Sequence, residues 1–160
     1  MKRVKSFLLF WLMALAILIM LVSNANAQGQ KGRANFGAAA EPQPLWSEYK
    51  GVRLGMTAQE SRAKLGEPAL KADDQDYYVF SEKETAQIVY DSAHKVITIS
   101  VDYLDGVGAP DPKSVVGGDL ELKPNGSQYR LVRYESRGFW VSYNRSAGTV
   151  SMVTITIQKM

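Results

Sequence analysis

The chain contains no cysteine. That excludes disulfides, thiolate nucleophiles and thiolate metal sites. Packing alone must therefore hold the fold. Histidine is almost as scarce, with His94 the only one. Without a second histidine or any thiolate, the usual donor sets for a transition metal cannot be assembled. A Ser-His-Asp arrangement would have to run through His94, and no G-x-S-x-G element supports it. An excess of one charge is missing too. The formal net charge is +3, but three of the 19 Lys and Arg residues (Lys2, Arg3 and Lys5) lie at the extreme N-terminus, leaving 16 against 16 Asp and Glu. A near-neutral body has no broad positive field for a phosphate backbone, which argues against nucleic acid as a partner. Long apolar runs are limited to Phe7–Val22, shorter than the ~20 residues that span a bilayer comfortably.

That run sits between a positive segment and "SNANA", where Ala25 and Ala27 form the A-x-A pattern of a signal-peptidase site. Residues 1–27 thus read as an export signal cleaved after Ala27. The alternative is an uncleaved N-terminal membrane anchor with its positive end in the cytoplasm. Either reading places the rest of the chain outside the cytoplasm, periplasmic or extracellular. With no cysteine after the signal, a lipid anchor is not expected. Membrane association then depends on the signal staying uncleaved. Residues 28–44 are rich in Gly, Ala and Gln, with two prolines and almost no large apolar side chains. Such a segment cannot bury enough surface to offset ordering entropy, and it reads as a flexible linker. Lys31 and Arg33 belong to that solvated stretch. Apolar density returns at Leu45 and Trp46, so the expected exported domain is 45–160, in subunits of about 45–104 and 105–160.

The domain opens on "RLGMTAQESRAKLGEP". Thr57 and Glu60 fit a capping box, Ala58 to Leu65 are mostly good helix formers, and Gly66 with Pro68 mark the stop. So short a helix does not form alone in water and must be held by docking. Its docking face is Ala58, Ser61, Arg62 and Leu65, with only Leu65 a large apolar residue. Gly55 and the helix start allow a phosphate cradle in principle, but no GxGxxG or P-loop lysine accompanies them.

Beyond Pro68 the pattern changes to period two. Tyr77–Phe80, Ala86–Asp91 and Lys95–Tyr103 read as strands, with Ile97, Ile99, Val101 and Tyr103 alternating with polar residues. The order then recurs. Asp111-Pro112 caps a second short helix, Gly117-Gly118 ends it, and strands follow at Tyr129–Glu135, Phe139–Asn144 and Val150–Ile157. "VITISV" parallels "VTITI", and "QIVYD" parallels "WVSYN". A recurring unit suggests two half-domains sharing one core.

The run "GVRLGMTAQESRAKLGEP", followed by "DYYVF" and "VITIS", resembles the SmpA/OmlA (BamE-like) family of small outer-membrane lipoproteins. Gly55, Met56, Thr57, Leu65, Gly66 and Pro68 carry the likeness. The doubled layout is similar to the tandem β-lactamase-inhibitor-protein-like fold. The resemblance implies an envelope address and a role related to outer-membrane assembly. This chain departs from the family in lacking the lipid-bearing cysteine, in adding a second unit, and in placing Ser61 where a branched aliphatic residue is usual.

No catalytic, cofactor or metal residues are expected. His94 and the acidic sets Asp73, Asp74, Asp76 and Asp102, Asp105, Asp111 read as solvated loop charge, without D-x-D-x-D-G spacing. Asn144-Arg145-Ser146 matches N-x-S, a frequent chance match. The second half crowds aromatics among arginines, and Trp, Tyr and Arg are the residues enriched in binding hot spots. The candidate protein-binding residues are Tyr129, Arg133, Tyr134, Trp140 and Arg145; the plainer reading is strand packing. The expectation is an α+β fold of two tandem helix-plus-three-strand units, with short helices on an antiparallel sheet of about six strands. It serves as a non-enzymatic exported binding or scaffold module whose partner is another envelope or secreted protein. The alternative is a proteinaceous inhibitor of a secreted hydrolase.

Overall fold

The computed structural model describes residues 41–160. The export signal and most of the linker lie outside the described residues. The helices are α1 (Ala58–Leu65) and α2 (Pro112–Val116). The strands are β1 (Leu70–Lys71), β2 (Gln75–Val79), β3 (Glu84–Tyr90), β4 (Val96–Leu104), β5 (Glu121–Leu122), β6 (Gln128–Tyr134), β7 (Phe139–Arg145) and β8 (Met152–Lys159). All eight join one antiparallel sheet in the order β1-β2-β3-β4-β8-β7-β6-β5.

This overturns the expected fold class. The molecule is a sheet-dominated fold with helices of only eight and five residues, not helix-plus-three-strand units on six strands. The added strands are β1 and β5, each two residues long, at the two edges. Two residues cannot display a period, so alternation gives no sign of them. Their shortness limits the exposed edge on which a foreign strand could pair.

The helix starts are built as their side chains dictate. Glu60 Oε2 accepts from the Thr57 amide at 2.7 Å, and the Glu60 amide donates to Thr57 Oγ1 at 3.1 Å. Asp111 Oδ1 accepts from the Lys113 amide at 2.8 Å, with Pro112 as the first helical residue. Gly55 has φ +83, a conformation costly for a side chain, and its amide donates to the Val96 carbonyl at 2.8 Å. The Ala58 amide donates to the His94 carbonyl at 2.9 Å. These amides tie the helix entry to the start of β4, so a phosphate has none of them to use.

One face of the sheet carries the core. Ile88, Ile99, Val101, Val141, Val153, Ile155 and Ile157 are almost fully buried there, together with Val115 and Val116 of α2. A register shift between Val89 and Tyr90 sets Val89 opposite Thr98 and Tyr90 opposite Val96. Ile97 is thereby the extra residue of a bulge. It is half-buried, and Val96 takes the core position that alternation assigns to Ile97. Val150 also departs from expectation, lying exposed before β8 begins.

Candidate binding face

Both helices pack on the core face, α1 through Arg62 on β2 and α2 through Arg130 of β6. The segment around Tyr49 joins them there, its hydroxyl donating to Glu84 at 2.8 Å. Among the described residues, no helix packs on the opposite face, so its own side chains define it.

Cross-strand pairing arranges those side chains in rows. The central row runs Leu70, Tyr77, Gln87, Ser100, Thr156, Ser142, Leu131 from β1 to β6. A second row runs Gln75, Val89, Thr98, Gln158, Trp140, Arg133, and a third Val79, Thr85, Asp102, Thr154, Asn144, Tyr129. Ser, Thr, Asn and Gln occupy the middle strands, while aromatic and aliphatic residues gather toward the two ends. The Thr154 hydroxyl donates to Asp102 Oδ1 at 2.6 Å, and Ser100 and Thr156 hydroxyls lie 3.3 Å apart. The one carboxylate in the middle of the face is thus already hydrogen-bonded.

Three of the five candidate residues share this face. Trp140, half-buried, stands directly opposite Arg133, which is exposed and donates toward Met160 Sδ at 3.6 Å. Tyr129 is half-buried, with Lys123 Nζ 5.8 Å from its ring centre. The other two point away. Tyr134 is 2% exposed and packs in the core, its ring 5.1 Å from that of Phe139. Arg145 is exposed at the far end of β7, in phase with Val141 and Tyr143 and so on the helix side. Tyr129 and Tyr134 are five positions apart, as are Trp140 and Arg145, and an odd step in a strand changes face.

The sequence reading also missed a site. Asp76, read as solvated loop charge, is fully buried. Its carboxylate accepts two bonds from the Arg62 guanidinium, at 2.7 and 2.9 Å, and one from the Tyr90 hydroxyl at 2.7 Å. The Tyr78 hydroxyl sits at 3.5 Å. Burial, together with the neighbouring Asp76 carboxylate, pushes the Tyr78 hydroxyl up to about 12 and raises that of Tyr90 as well. Ser61 is completely buried alongside, its hydroxyl without a hydrogen-bond partner. This cluster docks α1 on β2 through the Arg62–Asp76 pair. Strand alternation carried the signal: β2 begins at Gln75 rather than Tyr77, which puts Asp76 in phase with buried Tyr78.

His94 is exposed at the turn between β3 and β4, with φ 53. No group of His, Asp and Glu suited to a metal ion occurs among the described residues. No family, curated protein or solved structure matches this chain.

Proposed function

We propose that the protein is a non-enzymatic binding or scaffold module of the bacterial cell envelope, and that its uncovered sheet face takes up a protein partner. The envelope address rests on the export-type N-terminus and on the SmpA/OmlA resemblance, which also suggests a role related to outer-membrane assembly. The observation that carries the binding reading is the sheet face itself. Tyr129, Leu131, Arg133 and Trp140 form one end of a surface that no described helix covers. Trp and Tyr supply large contact area at low entropic cost, and Arg supplies directional donors. The polar middle strands suit a wet interface, in which bridging waters satisfy hydroxyls and amides.

Affinity capture from native envelopes tests this reading. Wild-type protein is expected to retain a defined partner, and Trp140→Ala and Arg133→Ala to weaken it. Truncation of a hot-spot residue costs about 2 kcal/mol or more, a loss of about 30-fold in affinity. If both variants, folded by circular dichroism, captured the same proteins as wild type, the face would not be the binding surface.

A further inference from the structure

Away from that face, a cavity of about 450 Å³ opens where the start of β4 and the end of β8 meet the start of β7 and residues 53–55. Its volume lies in the range of small-ligand pockets, roughly 300–1,000 Å³. Two chemistries meet in it. Leu54, Phe139 and Ile157 give an apolar floor, and Lys95, Arg137 and Lys159 stand at the rim.

The charges there are unequal. Arg53 also lines the cavity but is bound to Glu48 at 2.6 Å. Asp91 is the one lining carboxylate side chain, and it accepts from the Ala93 and Lys95 amides at 2.9 Å each. Arg137 donates only to the neutral Gln43 side chain, at 2.6 Å. No carboxylate lies within ion-pair distance of Lys95, Arg137 or Lys159 among the described residues. The Asp91 carboxylate offsets part of the field of Lys95 and Lys159, and Glu60 part of that of Lys95, without forming an ion pair with either. The lining stays richer in cations than in carboxylate side chains, and with its apolar floor it complements a ligand that is anionic at one end and apolar at the other.

We infer that this cavity binds a single-chain anionic amphiphile of the alkyl-carboxylate type, the tail against Leu54, Phe139 and Ile157 and the carboxylate at Lys95, Arg137 and Lys159. Burying the tail contributes about 0.8 kcal/mol per methylene, and the cations fix its direction. None of Tyr129, Arg133 or Trp140 lines the cavity, and it meets the partner-binding face only at Met160, toward which Arg133 donates.

Photolabelling of the full chain tests the inference without confusion from the apolar N-terminal run. The probe is a dodecanoate with a diazirine in its tail, and peptide mapping reads where it attaches. Label is expected on peptides carrying Leu54, Phe139 or Ile157. Plain dodecanoate should compete, and dodecanol should not. Lys95→Glu/Lys159→Glu should lower groove labelling about tenfold, and Arg137→Glu, a second exposed charge reversal, should lower it too. Label confined to Phe7–Val22, or groove labelling unchanged in both variants, would overturn the proposal. So would displacement by phosphatidylglycerol vesicles or by a tetraglutamate peptide where free dodecanoate fails, since each assigns the cations to a different partner.

Discussion

The two halves of the sheet solve one docking problem with opposite chemistry. Residues 54 apart correspond: Ser61, Arg62 and Asp76 in the first half, Val115, Val116 and Arg130 in the second. In the first, the guanidinium is on the helix and the carboxylate is buried on the strand, 2.7 Å apart. In the second, the guanidinium is on the strand. Arg130 Nε donates to the Val116 carbonyl at 3.1 Å and Nη1 to the Asp119 carbonyl at 3.4 Å, so a cation closes the C-terminal end of α2. The helix side of that contact is then free to be apolar, and Val115 and Val116 are buried. A polar dock needs every partner present, whereas an apolar dock needs only volume. The halves should therefore fail in different ways.

The largest effect is expected at Arg62. Arg62→Ala leaves the fully buried Asp76 carboxylate with tyrosine hydroxyls alone, and breaking a buried pair on one side costs about 3–5 kcal/mol. Val115→Ala removes only methyl groups from a closed site and should cost about 2 kcal/mol. Urea unfolding of both variants reads the difference. The double change Arg62→Met/Asp76→Leu should recover only part of the loss, because it removes the desolvation cost of both charges but leaves the buried Tyr90 hydroxyl without its acceptor. Equal losses for Arg62→Ala and Val115→Ala would abolish the contrast between the docks.

Alkaline pH should single out the first half. Burial lifts the Tyr78 hydroxyl, and burial with the nearby Glu84 carboxylate lifts that of Tyr103, each from 10.0 to about 12. Tyr49 and Tyr90 are raised in the same direction, chiefly by burial. A raised acid binds its proton more tightly folded than unfolded. Its contribution is complete below about pH 10 and is lost as pH climbs through about 12. All four tyrosines precede residue 105, so hydrogen exchange above pH 10 should open β2, β3 and β4 before β6 and β7. Opening in the reverse order, or simultaneous loss, would show that tyrosine ionisation does not distinguish the halves.

How much of this was legible depended on range. The T-x-x-E box and the Asp-Pro start are local, so sequence alone located both helices. Period-two alternation sets Phe139, Val141 and Tyr143 on one face of β7 and Trp140 on the other, and the structure makes the first of these faces the core side. Alternation failed where structure departs from simple counting: the bulge at Ile97, and two-residue edge strands too short to carry a pattern. Asp76 was misread because its partner Arg62 lies fourteen residues away on a helix, and nothing in an acidic loop announces that pairing. Ser61, the departure from the resembled family, acquires a setting only with the fold, beside the buried Asp76 and Tyr90. The candidate face was half legible: counting along β6 and β7 separates Tyr134 and Arg145 from the other three, but only once the strands are accepted.

The smallest expected effect sharpens the comparison most, because it isolates the Arg130 contact. A Cβ on Gly118 would lie 2.9 Å from the Arg130 guanidinium carbon. Gly118→Ala must therefore shift the guanidinium end, and the expected result is weakening of its bonds to the Val116 and Asp119 carbonyls by up to about 1 kcal/mol. Against this, alanine lowers the entropy of the unfolded chain and returns about 0.4–1 kcal/mol. The net change should stay within about 0.5 kcal/mol, a value that proves nothing alone. A double-mutant cycle resolves it. In an Arg130→Ala background there is no guanidinium to displace, so Gly118→Ala should become stabilising, and the coupling should approach 1 kcal/mol. Additive changes would mean that Gly118 does not make room for Arg130, and that α2 is held by its buried valines alone.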